Sequence, residues 1–252
     1  MTSEALILSM AMAVAAGLAG CFAVMRRLSL AADPLSHIAL PGIGVALALH
    51  IHPLFGAVVM LLFGALLVWG LETQAREATE TIIGVVFSVA LAVGSLMTSG
   101  EELLEALFGG AGSLNPSELG FGLLAAGGIV LFLVTQRHRL VILLVSPDLA
   151  RTAGIGVRRL ELLYLLTLAL TIALGLRYLG VLLMGALIII PAVTAKRLAR
   201  NLNEMLLWAA ALAVLATVSG IWLAARLGRE TGPLIVIVAA GGFLLSLWRR
   251  RD

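Results

Sequence analysis

The sequence predicts an all-α protein, a polytopic bundle of about eight to nine transmembrane helices that forms a single domain over residues 1–252. Hydrophobic residues make up 61% of the chain and charged residues only 12%, and the mean hydropathy is +1.10. A soluble domain carries about 25% charged residues. Apolar stretches of membrane-spanning length also recur along the whole chain. Together, these observations place the protein in a lipid bilayer.

Nine apolar segments follow one another along the chain. They cover residues 4–25, 30–49, 53–71, 81–98, 118–135, 159–176, 179–195, 204–226 and 232–248. The first has no basic region before it and no small-residue cleavage pattern after it, so we interpret it as a membrane helix and not as a removed signal. The second and seventh contain Asp or Pro and could be broken or shortened, so eight full spans would also fit the pattern.

The basic residues predict the orientation of the helices. Of the 17 Lys and Arg residues, 14 fall on one side of the alternating segments. These are Arg26, Arg27, Arg76, Arg137, Arg139, Arg151, Arg158, Arg159, Lys196, Arg197, Arg200, Arg249, Arg250 and Arg251, whereas Arg177, Arg226 and Arg229 lie on the other side. The basic side is expected to be cytoplasmic, which puts the N-terminus outside and the C-terminus inside. The pI near 9.7 therefore reflects membrane orientation and predicts no nucleic-acid partner.

Asp33 and His37 are the candidate ion site. A charged group near the centre of a bilayer costs roughly 2.5 to 3.5 kcal/mol even on lenient insertion scales. Residues four apart share one face of a helix and lie about 6 Å apart, so the carboxylate and the imidazole could converge on one ion. Oxygen with imidazole suits zinc, and it also suits manganese or ferrous iron. His37 is one of four histidines and lies one turn from the only acid inside an apolar span.

Two other roles are open for the same pair. Asp33 precedes Pro34, and Asp followed by Pro at the first helical position is a good helix start, in which the carboxylate accepts hydrogen bonds from free backbone amides. His37 would then be a polar residue packed between helices. Alternatively, Asp33 and His37 could form a proton relay in a secondary metal transporter.

Two features lie on the predicted outer side. His50 and His52 stand one residue apart at the outer end of the second segment, where such a pair could pass on a metal, so they form a candidate metal entrance. The loop 98–118 contains Glu101, Glu102 and Glu105 and predicts a short amphipathic helix at the outer interface. Its acids could gather cations or meet a partner, or they could simply face solvent.

A short cytoplasmic helix is predicted at about residues 147–154. The signal is a Ser cap, Pro in the first position, Asp in the opening turn and Gly as the stop. The residues that carry it are Ser146, Pro147, Asp148, Leu149, Ala150 and Gly154. Such a helix could dock a soluble partner by inserting into a groove, or it could be only an interfacial connector.

Pro191 predicts a hinge in the seventh segment. It removes one backbone donor and frees the carbonyl of Leu187, which produces a kink near the inner half of the span. Kinked helices can gate a pathway, and they also occur as inert bends.

Enzymatic activity has little support. The chain contains no phosphate-loop motif, no nucleophile elbow, no metalloprotease motif and no Cys-rich cluster. Its one cysteine excludes a disulfide framework. We therefore predict a transport protein without a permanently bound cofactor, driven by a membrane gradient or by a separate ATPase chain. A scaffold that transports nothing, or a membrane enzyme, is the rival from another class.

The chain resembles the membrane permeases of ATP-binding-cassette importers for zinc and manganese, with the zinc-uptake permeases of bacteria the most alike. The resemblance covers nearly the whole length. It rests on Arg26-Arg27-Leu28-Ser29, on Asp33 with His37, on Pro41-Gly42, on Thr81 with Gly84, on Ser146 to Ala150 with Gly154, and on Val181 to Pro191-Ala192 with Thr194-Ala195.

The resemblance implies a permease of the bacterial inner membrane that works as a pair, most simply a homodimer. Two cytoplasmic ATP-binding subunits and an extracytoplasmic metal-binding protein would be its partners. The family's intramembrane acid and histidine match Asp33 and His37, and its coupling helix matches residues 147–154. The sequence departs from the family where Ala32 and Pro34 flank Asp33, which puts the aim of the carboxylate in question. The cargo would be zinc, with manganese or iron as alternatives.

Overall fold

The computed structural model describes residues 3–26, 32–75, 78–97, 116–179 and 181–248. Within these ranges the chain forms eleven helices and no strand. They are α1 (Ser3–Met25), α2 (Ala32–His37), α3 (Ala39–Ala48), α4 (Pro53–Ala75), α5 (Thr79–Met97), α6 (Pro116–Val145), α7 (Pro147–Thr152), α8 (Val157–Leu179), α9 (Val181–Leu198), α10 (Leu202–Leu227) and α11 (Thr231–Leu247). The predicted outer helix of the loop 98–118 lies outside the described residues, except where α6 begins.

Every predicted apolar segment coincides with a described helix, and the second coincides with a pair. α2 and α3 are separated at Ile38, whose N–H donates to the carbonyl of Leu35 at 3.2 Å in a tighter turn. Six of the described helices are long and apolar enough to cross a membrane, and two shorter apolar stretches are Pro34–Ala48 and Thr231–Leu247. The prediction of an all-α membrane bundle is confirmed.

α1 lies at the centre of the bundle, where it packs against α6, α8, α9 and α10. Most of its residues from Leu8 to Val24 are buried. A Cβ atom at Gly17 would come within 2.7 Å of the carbonyl oxygen of Ala209, and one at Gly20 would overlap the carbonyl oxygen of Ile188. Glycine therefore allows α9 and α10 to approach the backbone of α1 directly, which is the main way that helices associate in lipid.

α3 and α4 cross at a pair of glycines. A Cβ atom added at Gly42 would overlap the carbonyl oxygen of Gly56, and one added at Gly56 would overlap that of Gly42. Because the contact is reciprocal, the two backbones touch at this point and neither position tolerates a side chain. The crossing fixes α3 and, through the turn at Ile38, the position of α2.

α6 is the longest helix and carries α7 beyond its end. Its 30 residues span about 45 Å at ~1.5 Å per residue, which exceeds the roughly 30 Å of the hydrocarbon core. The predicted segment ended at residue 135, but the helix continues through Arg137 and Arg139 to Val145. Charged residues end an apolar run without ending a helix, since outside the lipid their side chains are solvated. The extension places α7 at the basic end of the bundle.

Candidate transport site

His37 lies at mid-depth in the bundle. Its neighbour Ile38 packs so closely on Gly64, halfway along α4, that a Cβ atom there would lie 2.6 Å from the isoleucine side chain. The His37 ring packs on Phe87, near the middle of α5, with 5.7 Å between ring centroids and planes tilted by 55°. α8 and α9 also pack against α2. The imidazole is therefore held at the depth where a charged group is most costly in a membrane.

One ring nitrogen of His37 has no hydrogen-bond partner among the described residues. This atom, Nδ1, is buried. Buried polar atoms are nearly always paired, so an unpaired ring nitrogen calls for an explanation. Neutral imidazole nitrogen is a common ligand of transition metals. The observation fits a nitrogen whose partner is a passing ion, and it weakens the reading of His37 as a satisfied core histidine.

Asp33 lies on the same short helix as His37. α2 begins at Ala32, and the backbone is helical through His37, so positions 33 and 37 share one face. The side chain of Asp33 lies outside the described part of the structure. The predicted spacing of the pair is therefore present at the level of the backbone, and the role of the carboxylate stays a prediction.

One copy of the chain offers few metal ligands. Among the residues that the structure describes, no group of three or more His, Cys, Asp or Glu side chains comes together. Structural and catalytic zinc sites usually take three or four protein ligands. If the ion binds at Asp33 and His37, the remaining ligands must come from water or from a second copy.

His50 and His52 lie in the turn between α3 and α4, and both are exposed. His50 has a positive φ of 53°, an uncommon backbone conformation for a residue with a side chain. The Nδ1 atom of His52 accepts a hydrogen bond from the N–H of Leu54 at 3.2 Å, and its carbonyl accepts from Phe55 at 3.0 Å. His52 thus caps the start of α4, and a metal bound at Nδ1 would displace this cap. The role of the pair as a metal entrance stays a prediction.

The short helix at the basic end forms as its sequence predicts. α7 covers Pro147–Thr152, and the Ser146 hydroxyl accepts from the N–H of Leu149 at 3.2 Å. Gly154 has a φ of 73° and lies in the turn that closes the helix. In that turn the N–H of Ile155 donates to the carbonyl of Ala150 at 2.9 Å. A left-handed residue at this point favours glycine, so the local signals alone determine where the helix begins and ends.

α7 presents one side to the bundle and one to solvent. Ala150 is 0% exposed and anchors the helix, whereas Leu149 is 58% exposed. Asp148 and Arg151 form an exposed ion pair at 2.7 Å. An exposed leucine beside charged residues is available for a soluble partner. The use of α7 in coupling to an ATPase stays a prediction.

Pro191 lies inside α9, which runs unbroken from Val181 to Leu198. Beside it, an open crevice of about 120 Å³ lies between α9, α10 and α11. The hydroxyl of Thr194, which lines the crevice, donates to the carbonyl of Ile190 at 2.7 Å. Because this hydroxyl is already paired, the crevice offers an essentially apolar lining. The role of Pro191 as a hinge stays a prediction.

One cluster of charged residues was not predicted from the sequence. Arg26 follows α1, and its Nη2 atom lies 3.0 Å from Oε1 of Glu161 on α8 and 3.9 Å from Oε1 of Glu72 on α4. The prediction that Asp33 is the only acid inside an apolar span is wrong, because both Glu72 and Glu161 fall within apolar spans of the structure. Acids at the ends of apolar runs were the signal that could have identified the cluster.

Several known proteins similar to this chain are membrane proteins of metal-transport systems. The zinc-uptake membrane protein ZnuB of Haemophilus influenzae is 32% identical over 92% of this chain and 90% of its own length. The manganese-import permease ScaB of Streptococcus parasanguinis is 30% identical over 97% of this chain and 89% of its own length. YfeD of Yersinia pestis, a membrane protein of a chelated-iron transport system, is 32% identical over 97% and 84%. Three metals thus appear at similar identity.

A solved structure shows the same fold. PsaBC from Streptococcus pneumoniae, in complex with a Fab, superposes with a TM-score of 0.84 at 27% identity over 97% of this chain and 90% of that one. Residues 1–250 match the ABC 3 transport family. The prediction of no enzymatic activity is confirmed by these relatives, which are permease subunits. This chain therefore belongs to the ABC 3 transport family, as a multi-pass membrane permease subunit of a metal-ion importer.

Proposed function

We propose that the chain imports a divalent transition metal, zinc first, from an extracytoplasmic binding protein to the cytoplasm of a bacterium, across the inner membrane. The observation that supports this most directly is the His37 imidazole, held at mid-depth with Nδ1 buried and unpaired within the described residues. Asp33, on the same face of α2, supplies a hard oxygen ligand. Nitrogen with oxygen is a donor set that zinc binds readily, and manganese and ferrous iron accept the same set.

A pair of permeases completes the site. Two copies that meet about a two-fold axis bring two Asp33 and two His37 side chains together, enough for tetrahedral zinc. Each copy alone contributes too few ligands for tight binding. This suits transport, because an ion held too tightly does not leave. The chain is thus proposed to act as a homodimer.

ATP hydrolysis is assigned to two separate cytoplasmic subunits that dock on α7. The exposed Leu149 and the ion pair of Asp148 with Arg151 form the docking face, and the buried Ala150 fixes that face to the bundle. Capped by Ser146 and closed at Gly154, the short helix keeps its shape without a partner. A movement of the ATPases would therefore reach the bundle through α7.

Zinc uptake into vesicles that contain the reconstituted importer tests the proposal. We expect Asp33→Ala and His37→Ala to lower the initial rate about tenfold or more, because each removes one ligand from each copy. The matched control is His138→Ala, which removes an exposed histidine at the basic end of α6. Uptake at the wild-type rate by both site variants would refute the site.

The same vesicles discriminate the proton-coupled alternative. An importer driven by ATP requires the ATP-binding subunits and tolerates an uncoupler, whereas a proton-coupled carrier needs no ATPase and stops when the proton gradient collapses. We expect the first result. Uptake without any ATPase chain, abolished by the uncoupler, would replace the ATP-driven mechanism by a proton relay through Asp33 and His37.

A further inference from the structure

A charged cluster joins four helices at the basic end of the bundle. Arg26, at the end of α1, bridges Glu161 on α8 and Glu72 on α4. The hydroxyl of Thr79, the first residue of α5, donates to Oε1 of Glu72. The three charged side chains are only 14% to 22% exposed, so water screens their interactions less than at an open surface.

The cluster is connected to α7 on one side. α8 begins five residues after α7 ends, and Glu161 lies about one turn into α8. The hydrogen bond from the N–H of Ile155 to the carbonyl of Ala150 keeps the connection short and ordered. A displacement of α7 would therefore be passed directly to the first turns of α8, where Glu161 lies.

The cluster is connected to His37 on the other side. Eight residues along α4 separate Glu72 from Gly64, the residue against which Ile38 packs. Eight residues along α5 separate Thr79 from Phe87, the residue against which the His37 ring packs. Each distance is about 12 Å at the helical rise. Two of the helices that pack against α2 thus reach the cluster, α4 near its end and α5 at its first residue.

We propose that the Glu161–Arg26–Glu72 cluster is the link that transmits movement of α7 to the helices around His37. A single guanidinium holds two carboxylates that belong to different helices, and without it the carboxylates repel each other. This inference rests on the proposed function, because it assumes that an ATPase moves α7 and that an ion binds at His37.

The cluster is not needed to hold α4 and α8 together. The indole N–H of Trp69, on α4, donates to the carbonyl of Arg158, on α8, at 3.1 Å. The guanidinium of Arg158 also lies over the Trp69 ring, 5.0 Å from its centroid. A variant that lacks Arg26 therefore keeps the α4–α8 contact and loses the electrostatic tie to α1.

The test measures metal ions transported per ATP hydrolysed by the complete importer in vesicles. We expect Arg26→Gln to lower this ratio about tenfold while ATP hydrolysis continues and the ATP-binding subunits still co-purify. Glu72→Gln keeps Arg26 paired with Glu161, and we expect a decrease of about threefold. A purely structural role would instead lower assembly and both activities together.

Two further variants make the test specific. The double variant Arg26→Glu with Glu161→Arg keeps one cation between two carboxylates, and we expect it to recover most of the wild-type ratio. Arg226→Gln is the control, because it removes an arginine that lies over Trp222 at the opposite end of the bundle. We expect no change in the ratio there.

The outcomes separate the link from the proposed function. Wild-type importer that moves metal with ATP, together with unchanged ratios in Arg26→Gln and Glu72→Gln, would overturn the link and leave the importer intact. A decrease in Arg26→Gln that the charge exchange does not recover would also overturn it. A wild-type importer that moves no metal would instead refute the proposed function.

Discussion

At the scale of the single residue, His37 combines three properties that are rarely found together. It is ionisable, it lies at mid-depth between membrane helices, and its Nδ1 atom is buried without a partner among the described residues. Phe87 is the aromatic contact that restricts its ring. Metal-binding histidines usually have their ring orientation fixed by a hydrogen bond from the second nitrogen. If His37 binds the ion as proposed, packing against Phe87 would take over part of that function.

The identity of the residue at position 37 should influence which metal is carried. His37→Asp replaces nitrogen by oxygen, a donor that suits manganese better than zinc. We expect zinc uptake to decrease about tenfold or more and manganese uptake to decrease much less. Competition between the two ions in vesicles measures the change. An equal loss of both ions would show that His37 does not select the metal.

At the scale of the helix, close backbone contact and local capping signals explain the main features. α3 and α4 touch at Gly42 and Gly56, and α1 receives α9 and α10 at its own glycines. α7 begins at a serine cap and ends at a glycine with positive φ. Direct contacts between backbones fix the helix crossings, and local hydrogen bonding and backbone geometry fix the ends of α7. Lipid around the bundle offers no hydrophobic force to hold helices together, so such contacts carry the association.

Two glycines of α4 should respond differently to an added methyl group. Gly56→Ala forces overlap with the carbonyl oxygen of Gly42, whereas a Cβ atom at Gly70 meets nothing within 4 Å. We expect Gly56→Ala to lower the free energy of unfolding by about 1 to 3 kcal/mol, as overpacking does. Gly70→Ala should be neutral or stabilising by up to about 1 kcal/mol, because alanine favours helix. Thermal unfolding in detergent measures both, and equal midpoints would contradict the close crossing.

The exposed side of α7 should control binding of the ATPase. Leu149→Asp places a charge on the predicted docking face, and we expect co-purification of the ATP-binding subunit to decrease about tenfold, as for an interface residue worth 1 to 2 kcal/mol. Leu227→Asp is the matched control, since Leu227 is 57% exposed and Leu149 58%, but at the opposite end of the bundle. Equal co-purification of both variants would exclude α7 as the docking element.

At the scale of the whole molecule, the incomplete ligand set points to a second copy. The described part of one chain brings no three metal-binding side chains together. A dimer doubles the two candidate ligands and puts the ion on the two-fold axis. The symmetry of the assembly would then be part of the chemistry of the site.

The dimeric site predicts one metal ion for every two chains. Native mass spectrometry of the solubilised permease with zinc measures this stoichiometry directly. We expect one zinc per dimer, lost in His37→Ala, because each chain contributes half of the ligands. One zinc per chain would show instead that each copy holds its ion alone.

The helices were predictable because each depends on its own stretch of sequence. The apolar segments, the break in the second one and the cap of α7 all follow from neighbouring residues. The Arg26 to Glu161 contact joins positions 135 residues apart, so no local pattern contains it. Phe87 gave no signal in the sequence either, because its role depends on contact with His37, which lies on another helix. The full length of α6 was missed since charged residues ended the apolar run but not the helix.

The length of α6 has a mechanical consequence. It runs without interruption from Pro116 to Val145, and a single residue separates it from α7. A sideways push on α7 would therefore act on one end of a stiff rod about 45 Å long. A rod that pivots inside the bilayer swings its far end the opposite way. If the ATPases dock on α7 as proposed, their closure would thereby also displace the far tip of α6, on the predicted outer face.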